Sequence, residues 1–213
     1  MVTGLKAPPR PEAMLVRLGL REMAQYYNKP SGFYVNSNAV LADSQAAWER
    51  MGVYLMAALA GVDLTMSGGC FYGSEAMCPR QILVDNEIIG WVKHLVKGIN
   101  MSEDPIPLDL MIETGCAPLG GNFLGTKHTR RLHRRILWQR SSLTNALGRE
   151  AWIEHGKKTL WDRAAERARE LLQKHKPNIP ENLQKEIREY LFQVLKREGV
   201  KGDEAKRIMD KTY

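Results

Sequence analysis

Apolar residues recur at three- and four-residue steps through several stretches of the chain, and short aromatic or β-branched runs separate them. In Pro11–Tyr27 the apolar positions are Met14, Leu15, Leu18, Leu20 and Met23, which predicts a helix, and Pro30, Ser31 and Gly32 mark the turn after it. Phe33-Tyr34-Val35 reads as a short strand opening into the polar loop Asn36-Ser37-Asn38. Asp43 is placed to cap a second helix from Ser44 to about Ala60, with Trp48, Met51, Leu55, Ala58 and Leu59 as its apolar positions and Gly61 as its stop. Val62 to Met66 reads as a second strand leading into Ser67-Gly68-Gly69, and a third helix follows from about Pro79 to Lys97, apolar at Ile82, Leu83, Ile88, Ile89, Val92 and Val96. Pro105, Pro107 and the Gly-rich stretch Thr114 to Gly121 predict irregular backbone. From Thr126 onward the pattern is almost wholly helical. It includes a charged run from Trp161 to His175 and, beyond Pro177 and Pro180, two helices at about Glu181–Arg197 and Asp203–Lys211.

Alternating helices and strands predict an α/β fold, a parallel sheet covered by helices in a doubly wound or barrel arrangement. Two strands are clear, and a third is expected near Gly121-Asn122-Phe123-Leu124. A closed eight-stranded barrel takes roughly 250 residues, so these strands make at most part of one. An open parallel sheet with apolar strands needs cover from elsewhere. The chain divides on this reading into a partial (β/α) barrel over residues 1–145 and a C-terminal helical extension over 146–213.

Composition narrows the function classes. With 44% hydrophobic and 26% charged residues the chain suits one sizeable core. No apolar window approaches the ~18 residues of a membrane span, and Met1 to Pro9 lacks the order of a signal peptide, so a soluble cytoplasmic protein is expected. Three cysteines, Cys70, Cys78 and Cys116, match neither a zinc pair nor a disulfide framework, and the five histidines never bracket a Glu in metalloprotease spacing. The net charge of +7 is uneven: residues 1–126 carry 9 Lys+Arg against 12 Asp+Glu, a net of −3, and residues 127–213 carry 22 against 12, a net of +10. Glu166, Glu170, Glu186 and Glu189 interleave those positives, which favours solvated helix faces over a nucleic-acid site. Lys127, Arg130, Arg131, Arg134 and Arg135 form a tighter cluster, suited by charge to a nucleic acid or to an acidic protein.

Five blocks in order carry a resemblance. They are Asp43-Ser44-Gln45-Ala46-Ala47-Trp48-Glu49, Ala58-Leu59-Ala60-Gly61-Val62-Asp63-Leu64, Leu83-Val84-Asp85-Asn86-Glu87-Ile88, Gly120-Gly121-Asn122-Phe123-Leu124 and His128-Thr129. With Ala151-Trp152 and the tail ending in Lys174-His175-Lys176-Pro177, the chain resembles the trimethylamine methyltransferase family along nearly its whole length. The resemblance implies the C-terminal part of a (β/α)8 TIM-type barrel with additional C-terminal helices. It also implies transfer of a methyl group from a quaternary or tertiary methylamine to the cobalt of a corrinoid (cobalamin) carried by a partner protein, with no cofactor bound directly by this chain. Cobalt(I) is itself the nucleophile, so the expected work of the protein is to hold the amine in line and exclude water. A methylated ammonium suits an aromatic cage, each ring face giving about 0.5–2 kcal/mol.

The candidate substrate-binding residues lie at the strand ends. They are Tyr34, Asn36 and Ser37 after the first strand, Phe71, Tyr72 and Glu75 after the second, and Asn122 and His128 near the Gly-Gly block. The plain alternatives are that Phe71, like Phe33, is core and that the segment around His128 is a helix start capped by Thr126 or Thr129. Three departures from the family pattern bear on substrate. The loop that aligns with the pyrrolysine of trimethylamine-specific members reads Asn36-Ser37-Asn38-Ala39, which points to the non-pyrrolysine branch and quaternary amines. The family's Gly-Gly-His-Phe-Leu has Asn122 in place of His, and its Glu-Ser-Gly reads Tyr72-Gly73-Ser74. The residues that precede this part of the barrel in family chains are expected from a second polypeptide or protomer. A non-catalytic scaffold of the same fold is the alternative reading.

Overall fold

Proline at the first helical position leaves no hydrogen bond unmade, and Pro11 opens α1 (Pro11–Tyr26) in this way. The computed structural model describes residues 10–100, 106–115, 122–175 and 178–212, which are mostly helical with few strands. The buried stripe of α1 is narrower than its period predicts: Met14 is buried, whereas Leu15, Leu20 and Met23 are exposed. Arg17 Nη1 donates to the Tyr34 carbonyl at 2.7 Å and fastens the helix to the first strand.

The central unit is β-α-β. Strand β1 (Gly32–Tyr34) runs into α2 (Ser44–Leu59), which returns to β2 (Leu64–Met66). The strands pair in parallel with Gly32 opposite Leu64 and Tyr34 opposite Met66. Two carboxylates fix its corners. Asp43 Oδ1 caps α2 by accepting from the Gln45 and Ala46 amides at 2.9 and 3.3 Å. Asp63 Oδ2 accepts from the Ser31 amide and hydroxyl at 2.8 and 2.9 Å, and these bonds hold its carboxyl below the ordinary range. The third helix, α3 (Pro79–Lys97), packs on α2, and Met14, Val35, Val53, Tyr54 and Val92 form the core between helices and strand. Side chains alternate across a strand. Phe33 and Val35 therefore face the helices and are buried, while Tyr34 and Leu64 stand on the opposite face, 55% and 56% exposed.

A second small sheet follows: β3 (Cys70–Phe71) and β4 (Ala76–Met77) form an antiparallel hairpin closed by a 3-10 turn at Tyr72–Ser74. Among the described residues the strands form these two pairs and no closed barrel. The third strand expected near 121–124 does not form where it is described. Gly121 lies outside the described residues, and Asn122 turns the chain by accepting the Leu124 amide on Oδ1 at 2.8 Å, a local bond that competes with strand pairing. Helix α4 (Leu108–Thr114) forms just after Pro107, where irregular backbone was expected, because proline is tolerated at a helix start.

After α5 (Lys127–Ile136) the chain is irregular over 137–148, a break in a segment expected to be almost wholly helical. Ser141 Oγ and Asn145 Oδ1 accept the amides two residues on at 3.0 and 3.1 Å, replacing helical bonds with side-chain turns. Helices α6 (Arg149–Glu154) and α7 (Leu160–Lys174) follow. The first compact unit runs to Glu170. Thr144 Oγ1 donates to Glu87 Oε2 at 2.9 Å, and the Arg80 guanidinium lies 5.6 Å from the Trp161 ring centroid, which keeps this segment with α3. In the second unit, Leu171–Tyr213, α8 (Glu181–Arg197) packs on α9 (Gly202–Thr212). Among the described residues no helix is long and apolar enough to cross a membrane.

Replacing Asp43 by Ala removes the α2 cap and is expected to lower stability by about 1 kcal/mol, read as a lower urea midpoint at unchanged slope.

Candidate functional site at the strand ends

Charges on the inward face of a helix demand partners. Two adjacent residues of α2 meet that demand in different loops. Glu49, buried, accepts from Ser37 Oγ at 2.5 Å, the Asn38 amide at 3.0 Å and Gln45 Nε2 at 2.9 Å, and so holds the loop after β1. Arg50, 0% exposed, reaches the loop after β2. Its Nη1 meets Asp85 Oδ2 of α3 at 2.7 Å, its Nη2 donates to the Cys70 carbonyl, and its guanidinium lies 5.1 Å from the centroid of Phe71. Asp85 accepts further from the Gly69 amide at 2.7 Å and Gln81 Nε2 at 2.8 Å. Burial pushes the Asp85 carboxyl above its ordinary range, against the opposing pull of Arg50. The Tyr54 phenol is raised as well, by desolvation first and the neighbouring Asp85 second.

The loops so held are strained. Ser67, Tyr72 and Ser74 adopt left-handed backbone at φ 67°, 49° and 81°, at a cost of order 1 kcal/mol or more each. Gly69 also has positive φ, and a Cβ there would fall 2.5 Å from Ile82 Cγ1 and 3.2 Å from the Cys78 carbonyl, so only glycine fits. The loop after β1 and the turn between β3 and β4 meet directly: Asn36 Nδ2 donates to Ser74 Oγ at 2.8 Å, and the Gly73 amide donates to the Ser37 carbonyl at 3.1 Å. Asn36 Oδ1 is buried with no hydrogen-bond partner among the described residues.

Of the residues singled out in the sequence, Asn36, Ser37, Phe71 and Tyr72 come together here. Asn36 and Ser37 are buried, Tyr34 and Tyr72 are exposed, and Glu75 is exposed at the end of the 3-10 turn. Phe71 packs with Ala39 and Ala46, one ring face taken by Arg50, and Phe33 is likewise core. Asn122 and His128 sit in the segment leading into α5, where Thr126 Oγ1 caps the helix by accepting the Thr129 amide at 3.2 Å and His128 is half-buried in the first turn. Glu49, Arg50, Tyr54, Gln81 and Asp85 escaped the sequence reading. Their signal was position: Asp85 lies three residues from both Ile82 and Ile88, inside the apolar side of α3.

The sequence family described as trimethylamine methyltransferase (MTTB) matches residues 1–199. The chain belongs to the trimethylamine methyltransferase family. Among its relatives is the trimethylamine methyltransferase MttB of Desulfitobacterium hafniense (strain DSM 10664 / DCB-2), 31% identical over 89% of this chain and 38% of that protein. The MttB of Methanosarcina thermophila is 34% identical over 57% of this chain and 25% of its own length. A glycine betaine methyltransferase of Desulfitobacterium hafniense (strain Y51) is 29% identical over 78% of this chain and 34% of its own length. The chain thus spans between a quarter and two fifths of these family members.

Arg50→Met strands Asp85 without its counter-charge and is expected to cost about 3–5 kcal/mol in urea denaturation, part of which Arg50→Met/Asp85→Asn recovers. Because the folded-state phenol is raised, Tyr54 keeps its proton where the unfolded chain loses it. Stability therefore falls as pH rises above about 10. Tyr54→Phe is expected to flatten that alkaline limb in denaturation measured from pH 8 to 11.

Proposed function

We propose that this chain is the C-terminal part of a (β/α)8 barrel that transfers a methyl group from a methylated amine to the cobalt of a corrinoid carried by a separate protein. The observation that carries the reading is the asymmetry of the parallel pair. Phe33 and Val35 are buried on the helix side, Tyr34 and Leu64 on the other face are more than half exposed, and a buried polar cluster flanked by strained loops stands at the C-terminal ends of the strands. In barrel enzymes that end holds the chemistry and the inward face is packed by the remaining strands. Those strands belong to a second polypeptide, a second protomer or a longer chain.

The residues present suit a methylated ammonium. Glu49 and Asp85 are committed to internal partners, so the buried carboxylates serve the loops. What remains for a ligand is the exposed tyrosine rings at Tyr34 and Tyr72, offering cation–π contact, and the buried acceptor Asn36 Oδ1. An ammonium bearing one N–H would satisfy that acceptor, whereas a quaternary amine would rest on the rings alone. The corrinoid, held by its own protein, supplies a strongly nucleophilic cobalt(I). This chain's part is to orient the amine's methyl group and keep water from it.

The test mixes the chain with the polypeptide bearing the remaining strands, reduced corrinoid protein and either trimethylamine or glycine betaine. Growth of the methyl-cobalt(III) spectrum is expected, slowed about tenfold or more by Tyr34→Ala. Absence of the spectral change with every methylated amine would favour the scaffold reading.

A further inference from the structure

Apart from the strand ends, the loop over 137–148 and helices α6 and α7 enclose a cleft of ≈ 500 Å³, a volume in the range of small-molecule sites. Its walls are fixed by one carbonyl. Gly156 and Lys157 turn α6 into α7 with consecutive left-handed backbone, φ 83° and 55°, and this presents the Lys158 carbonyl. Trp152 Nε1 donates to it at 2.9 Å and Arg163 Nη1 at 2.7 Å, while Arg163 Nε donates to the Leu143 carbonyl at 2.6 Å. An indole and a guanidinium are thereby held in place before any ligand arrives, the condition for a selective site.

The charge of the lining selects the ligand. Arg140, Lys158 and Arg163 contribute three positive charges, and Glu166, ion-paired with Lys158 at 2.8 Å, contributes the one negative charge. The balance is +2. A carboxylate offers −1 against it, whereas a phosphate monoester carries about −1.5 to −2 at pH 7. The Arg140 fork can match two phosphate oxygens, Arg163 adds its charge and its remaining Nη2 donor beyond the bonds that Nε and Nη1 make to the Leu143 and Lys158 carbonyls, the Ser142 hydroxyl is a further lining donor, and Trp152 with Ala146 and Leu147 gives an apolar wall for a flat body.

We propose that this cleft binds a phosphate monoester carried on a planar ring, a mononucleotide being the leading case, with Arg140 and Arg163 on the phosphate and the ring against Trp152. This site is independent of the methyl-transfer reading. A phosphorylated non-nucleoside ring would present the same chemistry, so the test includes both. The full chain is titrated with AMP, phenyl phosphate, adenosine and inorganic phosphate, following tryptophan fluorescence and calorimetry. Saturable AMP binding is expected, with adenosine and inorganic phosphate each at least about tenfold weaker. Phenyl phosphate equal to AMP would also support the site and assign recognition to any ring. Arg140→Ala is expected to weaken AMP about tenfold, and Glu166→Gln to tighten it by removing the one opposing charge. The proposal is overturned if AMP fails to saturate, if inorganic phosphate binds as tightly as AMP, or if both variants bind AMP like the parent chain.

Discussion

The ion pair between Arg50 and Asp85 is the constraint on which the candidate site depends. Removing two charges from water costs several kcal/mol per ion, and their attraction offsets this only if the remaining donors and acceptors are engaged. The fold supplies most of them from three directions, Gln81 on α3, the Gly69 amide of the loop after β2 and the Cys70 carbonyl, while Arg50 Nε is buried with no hydrogen-bond partner among the described residues. The pair therefore couples α2, α3 and that loop into one unit. Glu49, the residue before Arg50, does the same for the loop after β1. Neighbouring positions on one helix thus fix the two loops at the ends of the parallel strands.

Much of the fold was legible because its signals are local. The bounds of α3 and α8, the Asp43 cap and the two parallel strands follow from periodicity, capping and β-branched runs within a few residues. What was illegible depends on distant partners. Periodicity assigns polar and charged residues to solvent, yet Gln81 and Asp85, one turn apart, lie on the stripe shared by Ile88 and Val92. Trp48 and Leu59 show the converse: apolar by type, they fall off the buried stripe of Ala46, Arg50, Val53 and Ala57 and are exposed. Phe71, by type either a cage wall or core, packs with Ala39 and Ala46, and the cation it meets is Arg50 of its own chain, 21 positions away.

The strain at Ser67, Tyr72 and Ser74 follows the same logic. Left-handed backbone at non-glycine residues persists only where surrounding contacts over-determine it. Here the contacts are the Arg50 and Asp85 bonds on one side of the loop and the Asn36 and Ser37 bonds on the other. Stability stored in the helices is spent on holding two loops in shapes they would not adopt alone.

The exposed face of Tyr34 and Leu64 has a consequence for association. The β1–β2 pair has two strands among the described residues, and the unpaired backbone at its edges, beside apolar side chains, is a template that a second copy of the chain can extend. Self-association of this kind rises with concentration, so the exposed strand edges set a limit on how concentrated the chain can be before copies pair.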